Sequence, residues 1–249
     1  MILLKTPAEM DAIARAGRIL GELHRELAKR VDSGVSTAEL DSFAEEFIRS
    51  HAGAEPAFKG LYGFPGSLCT SINEEVVHGI PSGRRLRDGD IVSLDAGVKL
   101  EGWFADAART VPVGKIDEET QRLLDVTLKS LAEGIEQARP GKRLGDIGHA
   151  VQQVAEGAGF GVVRDLVGHG LGREPHEEPQ VPNFGKPGRG LKLQTGMVLA
   201  IEPMVNAGGI GIRTLSDRWT VVSADGSRSA HFEHTVGITE NGPRILTEA

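Results

Sequence analysis

Five side chains able to hold a hard cation stand where an ionisable group is otherwise expensive to bury: Asp95, Asp106, His169, Glu202 and Glu233. Asp95 interrupts an apolar run containing Ile91, Val92, Leu94, Ala96 and Val98, and Glu202 follows Met197–Ile201 directly before Pro203. Taken singly, an Asp in a strand more often serves a turn or cap, and a Glu usually faces solvent. Taken together, four carboxylates and an imidazole exceed the three protein ligands usual for one catalytic zinc. They suit two divalent ions bridged by shared carboxylates and a water. In such a site, with ions about 3.5–4 Å apart, the water loses a proton near neutral pH and the scissile carbonyl is polarised, so hydrolysis needs no side-chain nucleophile.

The histidines form a second signal. His78, His169 and His176 sit in the Gly- or Pro-flanked stretches VVHGIP, GHGLGR and REPHEEP, where backbone can approach a ligand closely. His78 and His176 are placed to hydrogen-bond a substrate amide and a developing oxyanion. His24, His51, His149, His231 and His234 receive only structural or outer-shell roles, and His234 faces the opposite side of its strand from Glu233. Competing motifs fail: Gln180 replaces the second histidine of a zinc helix after His176, and prolines flank that segment. Gly168, Gly170 and Gly172 lack dinucleotide-fingerprint spacing, and no phosphate loop or serine elbow occurs.

Positioning these groups requires particular elements. Thr6 with Glu9, and Ser36 with Glu39, are capping boxes; the first has Pro7 at the opening helical position. Apolar residues at helical spacing then predict helices from Pro7 to about Leu27 and from Ser36 to about His51. Residues 52–67, rich in Gly and Pro, read as an ordered loop. Strands are expected at Leu68–Asn73, Val76–Gly79, Ile91–Leu100 and Trp103–Val113. The last two form a hairpin turning at Glu101-Gly102, which brings Asp95 and Asp106 to face each other. Helices follow at about Asp117–Ala138 and Leu144–Gly159, then strands at Met197–Val205, Trp219–Ser223 and His231–Thr239. Setting Gly34 against Gly141 places Leu40 beside Ile147, Ala44 beside Val151 and Phe47 beside Val154, a weak repeat at an offset of 107 (147 − 40). The fold class is α+β, a sheet with four principal helices on one face.

With 249 residues and 39% hydrophobic content, the chain can bury a sizeable core as one domain or two fused halves. Its apolar runs fall short of the roughly 20 residues of a membrane helix. MILLKTPAEM lacks the pattern of a secretory signal, so a cytoplasmic protein is expected. A single cysteine, Cys69, excludes intrachain disulfides and Cys-rich zinc modules. The net charge of −7 argues against general nucleic-acid binding. A monomer is expected because no apolar surface helix stands out.

These residues closely resemble the type I methionine aminopeptidases of the pita-bread fold. The resemblance is carried by SINEEVVHGIP (71–81), the spacing of Asp95 and Asp106, GHGLGREPHEEPQVPNF (168–184), AIEPM around Glu202 and FEHT around Glu233. It implies a single catalytic domain over 1–249, with pseudo-twofold halves at about 1–113 and 114–249 and a curved antiparallel sheet covered by four main helices. It implies removal of the initiator methionine from nascent proteins, preferentially when the second residue is small, with nascent N-termini at the ribosome as partners. Two divalent ions are implied, and Asp, Glu and His accept manganese, iron, cobalt or zinc. Asp95 would chelate one ion, His169 the other, and Asp106 and Glu233 both; Glu202 would bind the second ion and move a proton. His78 would contact the substrate amide, and His176 the carbonyl and tetrahedral intermediate. The methionine pocket would map onto Tyr62, Phe64, Cys69 and Trp219, with Leu61 and Pro175 departing from some relatives at its rim. Two other readings are a proline-directed relative, aminopeptidase P or prolidase, and a non-catalytic binding module.

Overall fold

The computed structural model describes residues 2–248. Its four principal helices are α1 (Pro7–Ala28), α2 (Thr37–Ser50), α3 (Glu118–Glu136) and α4 (Leu144–Gly157). Both capping boxes form: Thr6 and Ser36 accept from the backbone N–H of Glu9 and Glu39, whose carboxylates reach back to the cap N–H groups. Asp117 caps α3 through the N–H of Thr120. The start of α4, which has no Ser, Thr, Asp or Asn at its cap, is held instead by the Asp146 carboxylate accepting from the N–H of Arg143 at 2.7 Å.

Among the described residues all strand pairs are antiparallel, and the strands fall into four hydrogen-bonded groups. The strand Ile91–Leu100 carries Trp103–Pro112 along one edge, while Leu68–Ile72 and Ala54–Pro56 share the other. A second group runs Gly242–Ile245, His234–Thr239, Val198–Ile201, Gly168–Gly170 and Glu177–Val181 in spatial order. The hairpin turns at Glu101 and Gly102, both at positive φ (51° and 76°), the primed turn that matches strand twist.

The two largest apolar clusters among the described residues lie beneath the helix pairs. Leu20, Leu23 and Leu40 pack over Leu94 and Ala96, and Leu123, Leu131 and Ile147 pack over Leu199 and Ile201. Gly17 lets α1 lie against the C-terminal chain, since a Cβ there would sit 1.9 Å from the carbonyl oxygen of Leu246.

The weak repeat has a structural counterpart. The N–H of Gly34 donates to Leu86 O and that of Leu86 to Val35 O; the N–H of Gly141 donates to Leu193 O and that of Leu193 to Lys142 O. Every member of the second set is 107 positions after the first (141 − 34, 193 − 86, 142 − 35). The bridges Ser36–Arg85 and Arg143–Lys192 keep the same offset, and it also carries Asp95 onto Glu202.

The late strands differ from the expectation. Met197–Val205 is broken at Glu202-Pro203, and His231–Thr239 at Phe232-Glu233. Pro203 has no N–H to offer a neighbouring strand. The N–H of Glu233 leaves its own group to donate to Ala108 O at 2.9 Å. Each break falls at a carboxylate that turns into the site.

His24, buried on α1, has its Nε2 2.9 Å from Ala107 O, a geometry that makes Nε2 the protonated nitrogen. Burial, with Arg109 nearby, pushes it down to about 3. A depressed histidine adds stability above its unfolded value near 6.5, and that stability is lost as pH falls towards the folded value. We therefore expect the unfolding midpoint to drop between pH 6.5 and 4 and the drop to be shallower in His24→Gln. Parallel pH profiles for the two proteins would refute this.

Candidate active site

The register of the hairpin places the first two carboxylates. Asp95 stands opposite Cys69 on one side and Ala108 on the other, and Asp106 stands opposite Gly97. Asp106 is thus the diagonal neighbour of Asp95 on the same face. The backbone of Asp106 is gripped by Thr235, whose Oγ1 accepts from its N–H at 2.9 Å and donates to its carbonyl at 2.7 Å. This bond and that from Glu233 to Ala108 O join the two large strand groups, so Asp106 and Glu233 reach the same space.

His169 lies in the short strand Gly168–Gly170, with Nδ1 2.9 Å from Gly170 O. A carbonyl can only accept, so Nδ1 carries the proton and Nε2 keeps a free lone pair. That nitrogen lies 3.9 Å from Asp106 Oδ2 and 3.6 Å from Glu202 Oε1. Asn183 fixes the break carrying Glu202 by donating to its carbonyl oxygen at 3.0 Å.

Asp95, Asp106 and Glu233 are all buried, and each has one carboxylate oxygen with no hydrogen-bond partner. Burial pushes Asp95 up to about 7, and burial reinforced by the neighbouring carboxylates pushes Asp106 and Glu233 well above their usual range. Buried, unpartnered carboxylates packed together call for positive charge. Asp106, His169 and Glu233 each offer a ligand atom, all within 4.8 Å of one another. Four ionised carboxylates would balance two divalent cations, so the residues present fit the ions the sequence implied.

All eleven residues singled out from the sequence line one cavity of about 550 Å³: Asp95, Asp106, His169, Glu202, Glu233, His78, His176, Tyr62, Phe64, Cys69 and Trp219. Its floor is apolar, with Phe58, Phe64 and Cys69 buried together and Leu61 and Trp219 beside them. The Phe64 and Trp219 rings meet edge to face at 5.2 Å. Burial raises the Cys69 thiol, which makes it wall rather than nucleophile. Tyr62 stands at the rim instead, 76% exposed and stacked on His176 at 5.8 Å. The His176 ring meets that of His169 at 4.5 Å. Partial desolvation in the cavity, and then His169, push His176 down to about 4. His234 turns away to Thr247 Oγ1 at 2.8 Å, as its place in the strand implied.

A sequence profile of metallopeptidase family M24 matches residues 11–240. The chain belongs to that family. Among its relatives, the methionine aminopeptidase of Clostridium perfringens is 58% identical over 247 residues, covering 99% of each chain. Methionine aminopeptidase 1 of Bacillus subtilis is 54% identical over the same share. The crystal structure of the Thermotoga maritima methionine aminopeptidase superposes with a TM-score of 0.98 at 46% identity, each chain wholly covered. The prolidase of Pyrococcus furiosus shares the fold at a TM-score of 0.80 and 24% identity, and this chain spans 65% of it. Pita-bread architecture and metallopeptidase chemistry thus apply to this chain as an M24 enzyme.

Phe58 and Met204, given no site role from the sequence, and His231, given only a structural or outer-shell one, also line the cavity of this M24 enzyme. Spacing of two from Glu233 was the available signal for His231, because alternate residues share a strand face. Also unforeseen was the anchor of the His176 loop. The Lys5 ammonium lies 2.5 Å from Glu177 Oε2, with side chains only 5% and 7% exposed. The other oxygen, Oε1, accepts from the N–H groups of Arg173 and Glu174. Removing one partner strands a buried charge, so Lys5→Met should cost about 3 kcal/mol. In chemical denaturation, Lys5→Met combined with Glu177→Leu should recover most of that loss. A double variant no more stable than Lys5→Met alone would refute the stranded charge as the cause of the loss.

Proposed function

We propose that this chain is a methionine aminopeptidase that releases the initiator methionine from newly made polypeptides, preferentially when the second residue is small. The observation that carries this reading is the apolar pocket of Phe58, Phe64, Cys69 and Trp219 opening directly onto the carboxylate cluster. A thioether suits aromatic and soft walls, and a peptide bond one step beyond it falls among the charged groups. The full-length identity to named methionine aminopeptidases points the same way.

In this reading Asp95, Asp106, His169, Glu202 and Glu233 hold two divalent ions, of manganese, iron, cobalt or zinc. Such ions, when bound, polarise a carbonyl and lower the pKa of water. The chain's own residues do the rest. The pocket walls seat the methionine side chain and exclude water. His78 donates to the amide of the bond to be cut, and His176 to its carbonyl oxygen as charge develops there. Glu202 takes up a proton on its carboxylate and delivers it to the leaving amine. Tyr62, stacked on His176, borders the entrance past which the second residue must lie, and Leu61 shapes the same rim.

We further read residues 1–113 and 114–249 as the two halves of a single catalytic domain acting as a monomer in the cytoplasm. No described helix is long and apolar enough to cross a membrane. Nascent chains at the ribosome are the substrates this chemistry would meet. Proline-directed cleavage is the second reading, favoured only by the shared fold.

Release of methionine from Met-Ala-Ser and Met-Leu-Ser tests the proposal. Metal-stripped protein should be silent, and added Mn²⁺ or Co²⁺ should restore cleavage of the first while sparing the second. Cleavage of Ala-Pro peptides with silence on both methionine peptides would establish the proline-directed reading instead.

A further inference from the structure

One buried imidazole in the cavity has no hydrogen bond at either ring nitrogen. His231 is 1% exposed, and its Nδ1 and Nε2 are both unpartnered. Its Nε2 lies 3.5 Å from Glu202 Oε2, while Glu202 Oε1 lies 3.6 Å from His169 Nε2. The two oxygens of Glu202 are therefore divided, one towards the ligand cluster and one towards His231.

The place of the ring is fixed by its backbone. Thr110 Oγ1 accepts from the His231 N–H at 2.8 Å and donates to its carbonyl at 2.9 Å. Ser93 Oγ lies 2.8 Å from the same hydroxyl, and Met204 stands opposite His231 in the register. A carboxylate whose far oxygen meets a donor anchored in this way has one orientation, whereas a free one rotates between several.

We propose that His231 is a positioning residue whose Nε2–H holds Glu202 Oε2, leaving Oε1 directed at the ion shared with His169. This rests on the reading of Glu202 as a ligand. At 3.5 Å the two atoms are one small side-chain adjustment from a charge-assisted hydrogen bond, which Glu202 would make on binding an ion. Outer partners of this kind typically change metal affinity about 10- to 100-fold.

Titration of metal-stripped protein with Mn²⁺ by calorimetry, beside kcat and KM for Met-Ala-Ser, tests it in His231→Leu and His231→Gln. Leucine fills similar volume and removes a buried unpartnered polar ring, so the metal-free unfolding midpoint should hold. We expect two ions in the parent protein, about 10- to 100-fold weaker binding of one of them in His231→Leu, and a fall in kcat with KM little changed. His231→Gln keeps an N–H donor and should recover affinity and kcat to within a few-fold. Unchanged binding in the leucine variant overturns the proposal, as does a glutamine variant no better than leucine. A parent protein that binds no second ion removes the ligand role of Glu202, and this proposal with it.

Discussion

Asp106→Asn is expected to silence the enzyme and, in metal-free protein, to raise the unfolding midpoint. Asp106 is buried, one of its oxygens has no partner, and it sits between Asp95 and Glu233. Loss of its charge removes several kcal/mol of ion-dependent stabilisation of the transition state, so activity should fall at least about a thousandfold. Without ions the same charge is a burden, since burial and the neighbouring carboxylates oppose its ionisation. A carboxyl raised in the folded state contributes stability at low pH that is lost as pH rises through its folded value. Burial and the neighbouring carboxylates hold Asp106 well above its usual range, so the gain from removing its charge should widen as pH rises from 5 to 8. Saturating Mn²⁺ should reverse the order, because a ligand that binds only the folded state stabilises it by mass action. The backbone bonds from Asp106 to Thr235 remain, so the fold persists. Thermal melts with and without Mn²⁺, beside the peptide assay, decide it. Residual cleavage near the parent rate, or a metal-free variant weaker at every pH, would sink the assignment.

That opposition of fold and site explains what the sequence disclosed and what it hid. Local chemistry is legible: capping boxes at Thr6 and Ser36, and a Glu-Gly turn between two apolar strands, each specify their geometry within a few residues. Burial of a charge is legible too, because Asp95 inside an apolar run makes sense only beside a compensating group. The strand breaks at Glu202 and Glu233 were missed, although both residues were recognised. Alternating apolar residues predict a continuous strand, and only the distant partner, Ala108 for Glu233, shows that the chain must leave its neighbour. The repeat at 107 was faint in side chains yet firm in the backbone, where Gly34 and Gly141 make equivalent bonds. Lys5 and Glu177 lie 172 positions apart, and nothing local links them. His231 shows a different failure: its spacing from Glu233 was readable, but a polar ring on a buried face has many structural uses, and only its two bare nitrogens single it out.

His78→Ala should lower kcat about 100- to 1000-fold while leaving ion content intact, the size expected when one donor to a developing charge is lost. His78 lines the cavity without belonging to the close ligand cluster. Its backbone is left-handed, with φ at 59°, a conformation that costs a non-glycine residue of order 1–3 kcal/mol. The following residue enforces it, since a Cβ on Gly79 would lie 2.2 Å from the carbonyl oxygen of Thr70. Strain retained at a histidine aimed into the cavity has a rationale if the ring acts there. Burial keeps the imidazole below its usual range, so at neutral pH it is uncharged and offers one N–H, which suits donation to an amide. His78→Gly separates strain from chemistry: glycine adopts this φ freely, so its unfolding midpoint should match or exceed that of the parent while its kcat falls with that of the alanine variant. Metal analysis completes the case. Loss of an ion in either variant would make His78 a ligand, and full turnover in both would remove it from the reaction.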